Sequence, residues 1–158
     1  LIYVFSGDKH AGEIEGLTKL AKLDFLLRYP TYLERALKHN KKKMSKSPPK
    51  EYEKTSVESK MVRFRYGPWD FRYRRFINTL VGMGLLYLRK AGRSYYLGIT
   101  ELGIKTTQDL KQSDDLKDIF ERSKLIKSNF DYSGTNLMKF IYKTFPEIGS
   151  LQYGKEII

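Results

Sequence analysis

Apolar residues recur at helical spacing between Glu13 and about Arg28. Ile14, Leu17, Leu20, Ala21, Leu23, Phe25 and Leu27 form a broad stripe, with Glu15, Lys19, Lys22 and Arg28 outside it. This predicts a core helix, which Pro30 is expected to end while opening a second helix over 31–38. Ahead of it, residues 1–5 read as a short strand ended by Ser6-Gly7-Asp8. Val62, Phe64 and Tyr66 alternate with Arg63 and Arg65, the period of a half-buried strand with one cationic face, and Gly67-Pro68 is expected to break it. Asp70 is placed to cap a helix over 71–83, with Trp69 stapled to its first turn or filling core. In that helix Tyr73, Phe76, Ile77, Leu80 and Val81 share the core face. Arg72, Arg75 and Thr79 occupy another, with Arg74 and Asn78 beside them.

Gly84 is expected to close this helix. The apolar runs 85–88 and 93–99 then predict a hairpin with Arg89-Lys90-Ala91-Gly92 as its cationic tip. Thr100 can cap a helix over 101–111, and further helices are expected at 113–127 and 135–145, the last stopped before Pro146. The stretch 40–56 lacks periodic apolar positions. It carries Lys41, Lys42, Lys43, Lys46 and Lys50 among serines and prolines and reads as a mobile or ligand-ordered loop, either a lysine arm on phosphates or a solvated linker.

Composition narrows the chemistry. With 158 residues, 41% of them hydrophobic, the chain is long and apolar enough for one folded unit. It has no cysteine, which removes disulfides, thiolate metal sites and cysteine nucleophiles, and only two histidines, His10 and His39. No apolar run approaches the ~18–20 residues that cross a bilayer, so a cytoplasmic chain with no membrane partner is expected. The net charge of +12 is uneven: residues 60–99 hold +8, residues 1–59 hold +4, and residues 100–158 are neutral. A local excess of this kind attracts a polyanion, and double-stranded DNA is the leading partner; an acidic protein surface is the alternative.

A cationic helix followed at once by a cationic hairpin is the local order of a winged helix, whose helix enters the major groove while its wing reaches phosphates. The expected fold is therefore α+β, mainly helical: a modified winged helix-turn-helix over 1–112 with a basic loop at 40–56. A C-terminal helical extension over 113–158 is expected to pack on it or on a partner. The nucleic-acid candidates are Arg63, Arg65, Arg72, Arg74, Arg75, Asn78, Thr79, Arg89, Lys90 and Arg93, with Lys41, Lys42, Lys43 and Lys46 adding sequence-independent affinity. Trp69, Phe120, Phe130, Tyr132 and Phe140 are expected to shape the core and a partner surface. An ordinary helix-turn-helix joins its helices by a tight turn, whereas here the lysine loop and the 61–66 strand intervene. Either the module is modified or the helix pairing differs.

The block Val62-Arg63-Phe64-Arg65-Tyr66-Gly67-Pro68-Trp69-Asp70, continuing to Gly82-Met83-Gly84-Leu85 and preceded by residues 15–30, carries a further signal. Over residues 13–103 the chain resembles the middle component of bacterial three-component ABC-ATPase systems of the Lamassu type. The resemblance implies a small winged-helix subunit seated on an SMC-like, Rad50-like ATPase beside an effector subunit in anti-phage or anti-plasmid defence. Enzyme activity would belong to the partners, and Tyr66, Gly67, Pro68, Trp69 and Asp70 would have a structural role.

The reading is thus a non-catalytic accessory subunit with no cofactor, no metal and no small-molecule substrate. A stand-alone winged-helix transcription regulator and a pure protein adaptor are the alternatives. Glu58-Ser59-Lys60 matches half of a metal-dependent nuclease motif but lacks a preceding aspartate back to Asp24. Asp114, Asp115 and Asp118 read as helix-surface charge interleaved with Lys111 and Lys117. Gly82-Met83-Gly84 ends a helix where a phosphate loop would begin one.

Overall fold

The computed structural model describes every residue except Ser56 and Glu58. The chain is α+β. Its helices are α1 (Ile2–Phe5), α2 (Gly16–Arg28), α3 (Pro30–His39), α4 (Glu51–Thr55), α5 (Tyr73–Gly82), α6 (Glu101–Leu110), α7 (Lys117–Phe130), α8 (Gly134–Thr144) and α9 (Pro146–Ser150). Strands β1 (Ile14–Glu15), β4 (Leu86–Ala91) and β5 (Ser94–Ile99) form an antiparallel sheet in the order β1-β5-β4, and β2 (Val62–Phe64) pairs with β3 (Gly67–Trp69) in a separate ribbon. No helix among the described residues is long and apolar enough to cross a membrane.

One apolar core joins the two ends of the chain. Phe25 and Leu26 of α2, Tyr29 at the α2–α3 junction and Leu33 of α3 are buried with Ile126 and Phe130 of α7, Leu137 and Ile141 of α8, and Phe145 at the α8–α9 junction. Phe25, Tyr32 and Phe145 meet edge to face at 4.9–6.1 Å, the arrangement aromatic quadrupoles favour. Tyr29 ties this core to the ribbon. Its hydroxyl accepts from the Met61 amide at 2.8 Å and donates to the Ile157 carbonyl at 2.9 Å. The C-terminal segment lies along β2, with Arg63 N–H donating to Lys155 O and Gly154 N–H to Arg63 O.

Several expectations are corrected. Residues 2–5 are helical rather than a strand, because β1 already occupies the edge of β5 and the Leu1–Tyr3 side chains instead pack on the core. The first long helix begins at Gly16, whose φ of +75° turns the chain out of β1; Ile14 belongs to the sheet. The alternation over 62–66 is interrupted at Arg65-Tyr66, which turn the chain, and Gly67-Pro68-Trp69 returns as β3. Proline is tolerated there because the ribbon has only two strands. Arg89 and Lys90 sit within β4, leaving Gly92 and Arg93 as the two-residue turn; Gly92 has the positive φ that such a tight turn takes at its first position. The C-terminal helix is followed by α9, opened by Pro146.

The 40–56 stretch is docked rather than extended into solvent, over the described residues. Arg122 on α7 is only 3% exposed and grips Glu53 through two bonds of 2.6 and 2.8 Å, while also donating to the Ser47 and Pro48 carbonyls. Lys50 pairs with Asp118 at 2.7 Å. The expected helix over 101–111 is present as α6. Thr100 Oγ1 accepts from Gly103 N–H at 3.0 Å, and Gly103 lies so close to the Leu85 carbonyl that a Cβ there would overlap it.

Candidate nucleic-acid interface

α5 presents its cationic residues outward because Tyr73 and Ile77 anchor the opposite face in the core. Arg72, Arg74, Arg75, Asn78 and Thr79 are all exposed, as are Arg89, Lys90 and Arg93 on the hairpin. Arg74 and Asn78 from α5 line the same open groove as Leu88, Arg93 and Tyr95 from the hairpin, a cavity of about 790 Å³. Its other side is formed by the first turns of α2 and α8. Neither first turn carries an acidic residue, but Glu15 is the N-cap of α2, so only the α8 end, capped by Ser133, presents its partial positive charge without a carboxylate at the cap.

The expected cationic surface is smaller than its arginine count. Arg72 is folded back onto Asp70, with Nε at 2.9 Å and Nη2 at 2.7 Å, and also bonds the Ser59 hydroxyl. Arg89 is paired with Glu13, which holds that carboxyl below its ordinary range. Arg63 stacks between the rings of Tyr142 and Tyr153 at 5.6 and 5.0 Å, and the nearby Tyr153 and Tyr66 phenols raise the pKa of Arg65. Arg74, Arg75, Lys90 and Arg93 make no ion pair among the described residues. Sequence reasoning could not separate these groups, since the partners Glu13, Tyr142 and Tyr153 are remote in the chain.

Asp70 does more than cap. Only 5% exposed, it accepts from the Arg72 amide at 2.9 Å and from Arg28 Nη1 at 2.7 Å, while Arg28 also reaches Asp24 at 2.6 Å. Hydrogen bonds from Arg72 outweigh burial, with Arg28 adding to them, and hold Asp70 far below the usual carboxylate range. A depressed carboxylate stabilises the fold fully above its unfolded value of about 3.9 and loses that contribution as acid titrates it. Asp70→Asn is therefore expected to flatten the acid limb of a stability-against-pH curve measured by urea unfolding. An unchanged limb would show that the knot contributes nothing to acid sensitivity.

The lysine loop does not join this groove. Its described ion pairs with other elements run to α7, through Arg122, Asp118 and Glu121, the last 4.0 Å from Lys46; Lys41, Lys42 and Lys43 are exposed. The nuclease motif also gains no support: Glu58 lies outside the described residues, and Lys60 pairs with Glu156 at 3.1 Å. Among the described residues no group of three His, Asp or Glu side chains is arranged to hold a metal ion.

Lys22 is the site residue the sequence concealed. Its position in an amphipathic helix predicts exposure, yet it is 2% exposed, lies against Gly67, and lines the groove. Nζ donates to the Thr18 carbonyl at 2.9 Å, and burial lowers its pKa to about 8. Comparison with protein-family models, with curated proteins and with solved structures returns no match for this chain.

Proposed function

We propose that the protein is a non-catalytic, modified winged-helix subunit that engages DNA through the α5–hairpin groove, within an assembly built on an SMC-like ATPase. The observation that carries the DNA half is the convergence of Arg74, Asn78 and Arg93 on one groove, from a helix and from the hairpin that follows it. The winged-helix half is supported by strand order: β1 precedes α2, and β5 lies between β1 and β4, so the hairpin is completed by the strand ahead of the first helix. α2 and α5 then take the places of the paired helices, with residues 29–72 inserted between them. The ATPase and effector partners follow from the resemblance over residues 13–103. A partner surface is supported by exposed Met83, Leu102, Leu110 and Ile119 near the α5–α6 side.

Duplex binding by fluorescence anisotropy across a salt series tests the reading. The Arg74→Glu, Arg93→Glu double variant is expected to weaken affinity and to reduce the log-log salt slope by about 2, roughly one per phosphate contact removed. A folded variant with unchanged affinity and slope would remove the groove as the contact surface. Co-purification with an SMC-like ATPase separates this reading from a stand-alone regulator, which would dimerise and select a palindromic site. A pure adaptor would co-purify but show no salt-sensitive DNA binding.

A further inference from the structure

The groove does not end at Tyr66. A second pocket of about 400 Å³ adjoins it beneath the β2–β3 turn, lined by Phe64, Tyr66, Pro68 and Trp69, and both cavities share Thr18, Lys22 and Tyr66. That volume lies within the ~300–1,000 Å³ of clefts that enclose a small organic group. Lys22 is the only ammonium on its lining. One of its hydrogens goes to the Thr18 carbonyl, and among the described residues it has no carboxylate partner. A buried charge without a counter-ion is unfavourable, so a site that holds one gains by receiving an anion.

The surroundings favour the same ligand chemistry. Gly134, at the start of α8, packs against Thr18 and Lys19 in the first turn of α2, so the N-termini of α2 and α8 converge beside Lys22, the α8 end with no carboxylate at its cap or in its first turn. Arg65, Arg74 and Arg93 lie around the rim of the joined cavities. The one carboxylate on the lining, Glu15, accepts from the Ser94 hydroxyl at 3.0 Å. Tyr66 is 54% exposed at the turn, leaving its ring available, while Trp69 is half-buried and packed on Phe64 and Tyr73.

We propose that this pocket takes a single unpaired nucleotide of DNA, its phosphate at Lys22 and its base against the Tyr66 and Trp69 rings. The chain then binds unpaired strands in preference to fully paired duplex. Aromatic faces accept any base, and a paired duplex keeps its bases stacked out of the pocket's reach. The inference rests on the DNA reading above and deepens it by naming the form of DNA.

Trp69 is the only tryptophan in the chain, so its fluorescence reports the pocket directly. A short oligothymidylate and a fully paired duplex of equal length are titrated into the whole protein. Oligothymidylate is expected to bind more tightly and quench Trp69. Tyr66→Ala and Lys22→Met are each expected to lower the preference for oligothymidylate over duplex by about tenfold, and Tyr66→Phe to retain it. Salt-sensitive duplex binding with no preference for oligothymidylate, or Tyr66→Ala and Lys22→Met variants that keep the preference while folded, overturns this inference and leaves the DNA reading standing. Binding of neither probe overturns both.

Discussion

Arg122→Met is expected to destabilise the protein by about 2–4 kcal/mol in urea unfolding, because it strands a half-buried carboxylate and two carbonyls at once. The guanidinium spans Glu53 with both terminal nitrogens and reaches the Ser47 and Pro48 carbonyls, while Glu53 also accepts from the Lys50 amide at 2.8 Å. Glu53 is held below its ordinary pKa: desolvation opposes the shift, and the Arg122 hydrogen bonds and charge overcome it. Removing both partners is a different experiment from removing one. Arg122→Met with Glu53→Met leaves no orphaned charge and is expected to recover most of the loss. The single variant is also expected to speed tryptic cleavage at Lys41–Lys46, since the anchor of that stretch has gone. A loss below about 1 kcal/mol, the range of exposed ion pairs, would show that other contacts hold the loop on α7.

The same residue shows where sequence reading stops. Long elements with strong periodicity were legible: α2, α3, α5, α6, the β4–β5 hairpin and α8 all lie close to their expected spans, because each buries a stripe that its own spacing reveals. Elements made by remote partners were not. The 40–56 stretch looks solvated until Arg122 is brought to it from 69 positions away. Residues 1–5 have strand-like composition but no vacant edge to join, and β3 is built from Gly-Pro, which reads as a breaker until β2 is seen beside it. For the candidate interface, the helix and hairpin that carry its cations were legible from local pattern and charge. The selection among their arginines was not, because Glu13, Asp70, Tyr142 and Tyr153 decide which cations are already engaged within the chain.

Lys22→Met is expected to act in the opposite direction, raising stability by about 2–3 kcal/mol near neutral pH while weakening oligonucleotide binding. Burial takes the Lys22 pKa from an ordinary 10.5 to about 8, so the folded state releases the proton more readily than the unfolded chain does. Below about pH 8 both states carry the charge, and folding must bury it without a counter-ion. Between about 8 and 10.5 the unfolded state holds more protons, so wild-type stability from this group rises with pH and the advantage of methionine shrinks. Urea unfolding of both proteins across that window checks the sign. A methionine variant that is less stable than wild type near neutral pH, or a difference that does not narrow as pH rises, would mean that the ammonium is satisfied in the folded chain. Methionine matches the unbranched stem of lysine and keeps the packing against Gly67, so a gain in stability with a loss of binding separates the two roles of the position. A lysine that costs folding energy yet strengthens binding serves the ligand rather than the core.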